Sequence, residues 1–194
     1  MAGVTDVVLY HHIQGLTDGV LDFADQLRDA GHTVVTPDLY DGATFDVFDD
    51  GVAHAQHLGF DTIRERGVAA AAALPEAVVY AGFSMGAMPA QQLAQTRRGA
   101  KGALLFHSCI PTEEFGAGWP AGVPVQIHGM DADPIFMDEG DVDAARSLIA
   151  STKEAELFLY PGEQHLFADS SLASYDEGAA ELLLQRTLDF LDSV

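Results

Sequence analysis

The sequence has little cysteine, few basic residues and no long apolar run. Cys109 is the single cysteine among 194 residues, which excludes an internal disulfide bond and a cysteine-cluster metal site. No apolar stretch reaches the length that a membrane-spanning helix needs. No basic region precedes the first apolar run, so the N-terminal segment does not resemble a secretory signal. We therefore expect a cytoplasmic protein.

Positive charge is scarce. Nine lysines and arginines face 30 aspartates and glutamates, giving a formal net charge of −21. Such a chain repels phosphates, so we expect neither nucleic acid nor a membrane as a partner. Strongly anionic substrates gain no long-range attraction, and the excess acid opposes compaction at low salt. The expected partner is a small molecule, and the expected assembly is a monomer or a homodimer.

What is present favours one α/β domain over residues 1–194. Hydrophobic residues make up 48% and charged residues 20% of the chain, as in globular proteins. Short apolar runs alternate with helical patterns, and the runs lie at 7–10, 33–36, 77–83, 102–107, 123–128 and 156–160. This alternation predicts a doubly wound, mostly parallel sheet with helices on both faces. The pattern also predicts a first helix capped by Thr17, and two helical pieces in 44–74 that break near Gly59.

A serine stands between two glycines where a strand is predicted to end. Residues 81–87 read AGFSMGA, with Ser84 between Gly82 and Gly86, and a helical stretch follows. This strand–turn–helix context is the one that a nucleophile elbow requires. The alternative interpretation is a tight glycine turn in which Ser84 only caps a helix.

The later strands are followed by residues that could activate this serine. Asp131 and Asp133 follow the strand at 123–128, and His165 follows the strand at 156–160. The order serine, acid, histidine is the one expected after such an elbow, and all three lie at the carboxyl ends of parallel strands. The residues alone leave both aspartates open, and a solvated acidic loop and a surface histidine are the alternatives. No metal-ligand spacing is present, so no metal and no cofactor are expected.

Five segments together resemble the dienelactone hydrolase family of the α/β-hydrolases. They are HHIQG at 11–15, TPDLYDG at 36–42, GFSMG at 82–86, HGMDADPIF at 128–136 and YPGEQHLFADSS at 160–171. The resemblance implies a compact α/β-hydrolase fold and a catalytic triad of Ser84, His165 and an aspartate. It favours Asp133, which precedes a proline and an apolar residue, with Asp131 as the alternative. It also implies an oxyanion hole made by the N–H groups of Met85 and Ile13.

Three positions depart from the family pattern. Where the eponymous enzymes have a cysteine nucleophile, this chain has Ser84, and where they have a glutamate in the first loop, it has His12. Their substrate-binding arginine aligns with Asp169, which we expect to repel a substrate carboxylate. The prediction is therefore a hydrolase that cleaves a carboxylic ester or lactone through a serine acyl-enzyme, with dienelactone itself not expected as substrate. A thioesterase with the same triad and a catalytically silent binding module remain the alternatives.

Four further residues are predicted to line the substrate pocket. His11 and His12 follow the first strand, and Phe115 and Trp119 lie in the loop between the fourth and fifth strands. Loops at this end of the sheet border the site. The alternatives are that the histidines are hydrogen-bonded core groups and that the aromatic residues anchor the loop. We expect Cys109 to be a buried small residue instead of a second nucleophile.

Overall fold

The computed structural model describes residues 3–116 and 118–194 and contains a six-stranded parallel sheet. Its strands are β1 (Asp6–Tyr10), β2 (Thr33–Val35), β3 (Val78–Phe83), β4 (Gly102–Phe106), β5 (Val125–Met130) and β6 (Ala155–Tyr160). Their order is β2-β1-β3-β4-β5-β6, and every neighbouring pair is parallel. All six predicted strands and the parallel sheet are confirmed.

Seven α-helices connect or follow these strands in the described residues. They are α1 (Asp18–Asp29), α2 (Phe48–Leu58), α3 (Phe60–Ala70), α4 (Ala87–Thr96), α5 (Pro134–Asp138), α6 (Asp141–Ser151) and α7 (Glu177–Ser193). Thr17 caps α1, since its hydroxyl oxygen accepts the Val20 N–H at 3.4 Å. Gly59 separates α2 from α3 with a φ of +87°, which confirms the predicted break.

The helices cover both faces of the sheet. On one face, α1 and α7 pack against strand residues such as Val7 and Leu9. On the other face, α3, α4 and α6 pack against residues such as Val8 and Tyr10. Successive strand residues point to opposite faces, so strands buried on both sides read as continuous apolar runs. The arrangement is the doubly wound α/β fold that the sequence predicts.

The strand order creates a crevice between β1 and β3. After β1 the chain crosses to β2 on one side, and β3 then begins the series that extends to the other side. Ligands bind in doubly wound folds at such a switch point, outside the carboxyl ends of the strands. The loop after β1 and the turn after β3 meet here. Among the described residues, no helix is both long and apolar enough to cross a membrane.

Candidate active site

Ser84 lies at the tip of a tight strand-to-helix turn. It follows the last residue of β3 and begins a single 3₁₀ turn, Ser84–Gly86, that leads into α4. Its φ is +49°, a conformation that costs energy for any residue with a Cβ atom. Gly86 allows this turn to approach β1, because a Cβ there would lie 2.6 Å from the carbonyl oxygens of Tyr10 and His11. The turn therefore presents the Ser84 hydroxyl at the carboxyl edge of the sheet.

The Ser84 hydroxyl begins a chain of hydrogen bonds. It donates to Nε2 of His165 over 2.7 Å, and the Nδ1–H of His165 donates to Oδ2 of Asp133 over 2.6 Å. Asp133 is fully buried and also caps α5, with Oδ1 accepting the Ile135 N–H at 2.9 Å. A carboxylate only accepts hydrogen bonds, so the imidazole carries its proton on Nδ1 and leaves Nε2 free to accept.

The two aspartates of the loop after β5 have different surroundings. Asp131 is exposed, and its Oδ1 accepts the Gly162 N–H at 3.1 Å. It makes no hydrogen bond to His165 among the described residues. The structure thus brings Asp133 to the imidazole, while Asp131 holds together the loops that follow β5 and β6.

The predicted oxyanion-hole residues both line the same cleft as Ser84. Ile13 lies in the loop after β1, and Met85 follows Ser84 in the turn. The Ile13 N–H donates to no group among the described residues. Its loop is fixed on both sides: the Gly15 N–H donates to His12 O at 3.1 Å, and Gln14 exchanges two hydrogen bonds of 2.9 Å with the Phe45 backbone.

His11 and His12 do not line the cleft in the described part of the chain, so this pocket prediction is wrong. The His11 ring donates from Nδ1 to His12 O at 2.8 Å and accepts the Leu39 N–H on Nε2 at 3.0 Å. Burial lowers the pKa of His11 to about 4, so the ring is neutral at pH 7. His12 accepts the Gln14 N–H on Nδ1 at 3.1 Å. Both histidines support the loop after β1 that carries Ile13, because their side chains are buried in the core.

Asp169 is also turned away from the cleft. It is 3% exposed and accepts hydrogen bonds from His12 Nε2 at 2.7 Å, from the Thr17 hydroxyl at 2.5 Å and from Ser171. Burial on its own would raise the pKa of Asp169, but these hydrogen bonds outweigh it and lower the pKa below its ordinary value. The expected direct repulsion between Asp169 and a substrate carboxylate is therefore wrong, since the side chain is enclosed by the protein.

Phe115 and Trp119 likewise lie outside the described lining of the cleft. The Trp119 indole N–H donates to Val123 O at 2.7 Å, and the ring packs against the core, so Trp119 anchors its loop. Phe115 lines a neighbouring groove of about 590 Å³, which shares Met88, Ile110 and Pro111 with the cleft. The phenylalanines that line the cleft are instead Phe48 and Phe60, the first residues of α2 and α3.

The cleft itself has a volume of about 340 Å³ and a mostly apolar wall. Its apolar side chains include Ile13, Phe48, Val52, Phe60, Met88 and Ile110. Its polar residues beyond Ser84 and His165 include His107, Ser108, Glu139 and Asp141. Sequence reasoning missed Val52, Phe60 and Asp141. Phe60 is an apolar residue of α3 that remains exposed, and Val52 is a partly buried residue of α2, but nothing local in the sequence distinguishes Asp141.

His107 and Cys109 also line the cleft, but within the residues that the structure describes neither side chain has a contact that would activate it as a base or a nucleophile. His107 is 1% exposed, has a φ of +64°, and its ring nitrogens have no partner among the described residues. Burial lowers its pKa well below the usual range, so the ring is neutral at pH 7. Burial, together with the nearby Asp141 carboxylate, raises the pKa of the Cys109 thiol to about 12, so this thiol stays protonated and is a poor nucleophile. The described residues contain no group of three or more histidine, cysteine, aspartate or glutamate side chains that could hold a metal ion.

Comparison with known proteins decides the family. The model of the dienelactone hydrolase family matches residues 3–194. The chain belongs to the dienelactone hydrolase family. This membership confirms the resemblance drawn from the five sequence segments, and it makes the chain a hydrolase of the α/β-hydrolase fold.

Three known proteins are similar to this dienelactone hydrolase family member at 20–25% sequence identity. A protein of Saccharolobus solfataricus, provisionally named carboxymethylenebutenolidase, is 25% identical to this chain in an alignment 232 residues long, gaps included. The alignment covers 97% of this chain and 89% of the relative. The dienelactone hydrolase-like promiscuous phosphotriesterase P91 from metagenomic libraries has a TM-score of 0.79 at 20% identity, covering 100% of this chain and 87% of P91. Esterase 2 of Thermogutta terrifontis, phosphorylated by paraoxon, has a TM-score of 0.63 at 20% identity, covering 98% and 82%. These two structures share the fold.

Two of the three departures from the family pattern contact each other in this member of the dienelactone hydrolase family. Where the resemblance predicts a glutamate and an arginine, the chain has His12 and Asp169, and these side chains are hydrogen-bonded over 2.7 Å. The two residues are 157 positions apart in the chain. Their contact ties the loop after β1 to the loop that carries His165.

Proposed function

We propose that this chain hydrolyses carboxylic esters or lactones through an acyl-enzyme on Ser84. The observation that carries the proposal is the continuous hydrogen-bonded series Ser84 Oγ–His165 Nε2 at 2.7 Å and His165 Nδ1–Asp133 Oδ2 at 2.6 Å. A serine hydroxyl is a weak nucleophile until a base accepts its proton, and the base needs an orienting acid. The mostly apolar cleft beside Ser84 supports a small organic substrate.

The first half of the reaction acylates the serine. Nε2 of His165 takes the hydroxyl proton as Ser84 Oγ attacks the ester carbonyl carbon. The N–H groups of Ile13 and Met85 stabilise the negative charge on the carbonyl oxygen, and one such donor is typically worth about 3 kcal/mol in the transition state. His165 then returns the proton to the leaving alkoxide, the C–O bond breaks, and the alcohol departs.

The second half returns the free enzyme. His165 Nε2 takes a proton from water, and the resulting hydroxide attacks the acyl-enzyme carbonyl carbon. The tetrahedral intermediate collapses, the proton goes to Ser84 Oγ, and a carboxylic acid leaves. Asp133 holds the Nδ1 proton through both halves and stabilises the imidazolium that forms in each.

We do not propose that this chain hydrolyses carboxymethylenebutenolide, the substrate in the name of the Saccharolobus relative. The family arginine that binds a substrate carboxylate is replaced by Asp169, and neither lysine nor arginine occurs in the described lining of the cleft. A substrate carboxylate would therefore lose its hydration without gaining a cation. We propose esters and lactones without a carboxylate as the substrates.

A kinetic panel with Ser84→Ala tests the proposal. Wild-type protein should hydrolyse p-nitrophenyl butyrate and a neutral lactone, and Ser84→Ala should lose this activity while keeping the wild-type circular dichroism spectrum and melting temperature. A thioester of the same acyl group belongs in the panel: faster turnover of the thioester would make the protein a thioesterase. Hydrolysis that persists in Ser84→Ala, or no hydrolysis by the wild type, would contradict the proposal.

A further inference from the structure

The charged side chains that line the cleft beyond the proposed triad are acidic. Glu139 and Asp141 both line the cleft, and its described lining includes no lysine or arginine. The neighbouring groove is lined by Arg64, which is already bonded to Gln92 and Asp61. A substrate group in the cleft is therefore close to acidic side chains whose charge no lysine or arginine of the described lining neutralises.

Asp141 is held in a fixed orientation. It is the first residue of α6 and follows Gly140, whose φ of +106° turns the chain towards β4. Its Oδ1 accepts the Ser108 hydroxyl at 2.5 Å and the Cys109 N–H at 2.9 Å. Both bonds end on Oδ1, and Oδ2 has no hydrogen-bond partner within the described residues. A carboxylate oxygen of this kind is a preorganised acceptor, because little side-chain entropy is lost when a ligand binds.

The surroundings of Asp141 favour a cationic ligand over a neutral one. Burial raises the pKa of Asp141 above its ordinary value, although Ser108, Cys109 and His165 lower it. Burial acts this way because it removes water from the carboxylate, and a partly dehydrated carboxylate gains more from a cation than an exposed one does. Phe48 and Phe60 line the same cleft, and the faces of aromatic rings attract cations.

We propose that Asp141 is a specificity-determining residue and that the cleft selects esters that carry a protonated amine. The inference rests on the proposed ester hydrolysis. The ammonium group donates to Asp141 Oδ2 while the ester carbonyl lies against Ser84, and Glu139 adds negative charge to the same end of the cleft. A carboxylated substrate of the same shape is repelled by both acidic residues.

Three esters of matched length test this selection. They are p-nitrophenyl 6-aminohexanoate, p-nitrophenyl heptanoate and the mono-p-nitrophenyl ester of adipic acid, which end in an ammonium, a methyl and a carboxylate group. At pH 7 the wild type should prefer the ammonium ester over the methyl ester about tenfold in kcat/KM, the size expected for a hydrogen bond to a charged group. The carboxylate ester should be slowest, and the ammonium preference should shrink as NaCl is added.

Variants of two aspartates in α6 show whether the preference depends on a local contact or on the overall charge of the molecule. In Asp141→Asn the ratio of ammonium to methyl kcat/KM should fall to about one or two, and in the control Asp143→Asn it should stay near the wild-type value. Asp143 is 81% exposed, pairs with Arg146 and lies outside the described cleft lining. The ratio is taken within each variant, so a change in overall activity does not affect it.

The outcomes are distinct. A wild type that hydrolyses the methyl ester without preferring the ammonium ester contradicts the selection and leaves ester hydrolysis intact. A preference that survives in Asp141→Asn, or disappears equally in Asp143→Asn, contradicts the role of Asp141. If the wild type hydrolyses none of the three esters, the proposed function itself fails, and this inference fails with it.

Discussion

Asp131 and Asp133 stand two residues apart in one loop and differ in what they contact. Asp133 is buried and accepts from His165, whereas Asp131 is exposed and accepts from the Gly162 backbone. The proposed role of the acid is to hold the imidazole in the tautomer with the proton on Nδ1 and to stabilise the imidazolium. Both roles need direct contact with the imidazole, so we propose Asp133 for them.

Asparagine at each of these positions tests the role of the acid. Asp133→Asn should lower kcat by about 10³- to 10⁴-fold, because the amide cannot stabilise the imidazolium and favours the wrong tautomer. Asp131→Asn should stay within about threefold of the wild type, since its side chain does not contact the imidazole. Steady-state kinetics on a neutral p-nitrophenyl ester measure both effects, and melting curves check that Asp133→Asn keeps its α5 cap. Equal losses in the two variants would count against the assignment of Asp133.

At the scale of elements, the site depends on the close approach of the β3–α4 turn to the loop after β1. Gly86 makes this approach possible, because its missing side chain leaves room for the carbonyl groups of Tyr10 and His11. The His12–Asp169 contact then joins the loop after β1 to the loop that carries His165. Three loops that follow three different strands are thus fixed relative to one another.

Alanine at Gly86 should disturb this arrangement. The added Cβ would lie 2.6 Å from two backbone oxygens that cannot move aside cheaply, so we expect a loss of about 2 kcal/mol or more in unfolding free energy. Activity should fall further than stability, because Ser84 would shift away from His165. Gly178→Ala is the matched control: it lies in α7, with its nearest contact at 3.7 Å, and should be neutral or stabilising. Urea unfolding and kcat/KM measure both; a fully active, equally stable Gly86→Ala would contradict the packing argument.

The sequence predicted what depends on local chemistry. The cap at Thr17, the break at Gly59 and the turn at Ser84 each need only their neighbours in the chain, and the structure contains all three. The meeting of serine, acid and histidine follows from the parallel topology, because the carboxyl ends of parallel strands share one edge. The choice of Asp133 came from the family resemblance and not from the spacing.

The sequence could not predict which way side chains turn after a strand ends. His11 and His12 follow β1 and were expected in the pocket, yet both are buried under it. Their partners, Leu39 and Asp169, lie far along the chain, so the hydrogen bonds that orient the rings exist only after folding. The position of Asp141 in the cleft could not be predicted for the same reason, since its partners Ser108 and Cys109 are more than 30 residues away in the chain.

At the scale of the whole molecule, buried histidines make stability depend on pH. Burial lowers the pKa of His128 to about 3, from an unfolded value of 6.5. The unfolded chain therefore binds a proton that the folded chain excludes, and stability falls as pH decreases from about 6.5 towards 3. His11, with a pKa of about 4, acts in the same direction.

Replacement of His128 should reduce this dependence on pH. Between pH 8 and pH 5 the wild type should lose about 2 kcal/mol more unfolding free energy than His128→Phe, since the variant has no group to protonate at this position. Phenylalanine keeps a ring beside Phe106 and Phe158 but loses the hydrogen bond to the Tyr160 hydroxyl, so the variant starts from a lower stability. Urea titrations at both pH values measure the difference, and parallel pH dependences would contradict the burial of a neutral imidazole.

The net charge of −21 predicts a dependence on salt. Nine basic residues cannot pair with 30 acidic ones, so carboxylates repel one another across the folded surface. Added NaCl shortens the screening length from about 30 Å at 0.01 M to about 3 Å at 1 M, and the melting temperature should rise over this range. Differential scanning calorimetry gives the curve; a flat melting temperature would show that charge repulsion does not limit stability.

The proposed nucleophile is the Ser84 hydroxyl, activated by His165. Reaction with a fluorophosphonate probe, followed by intact mass and peptide mapping, tests this most directly. We expect one covalent adduct, located on Ser84, with no adduct in Ser84→Ala and a strongly slowed reaction in His165→Ala. An adduct on another residue, or no adduct on a wild-type protein that still hydrolyses esters, would contradict it.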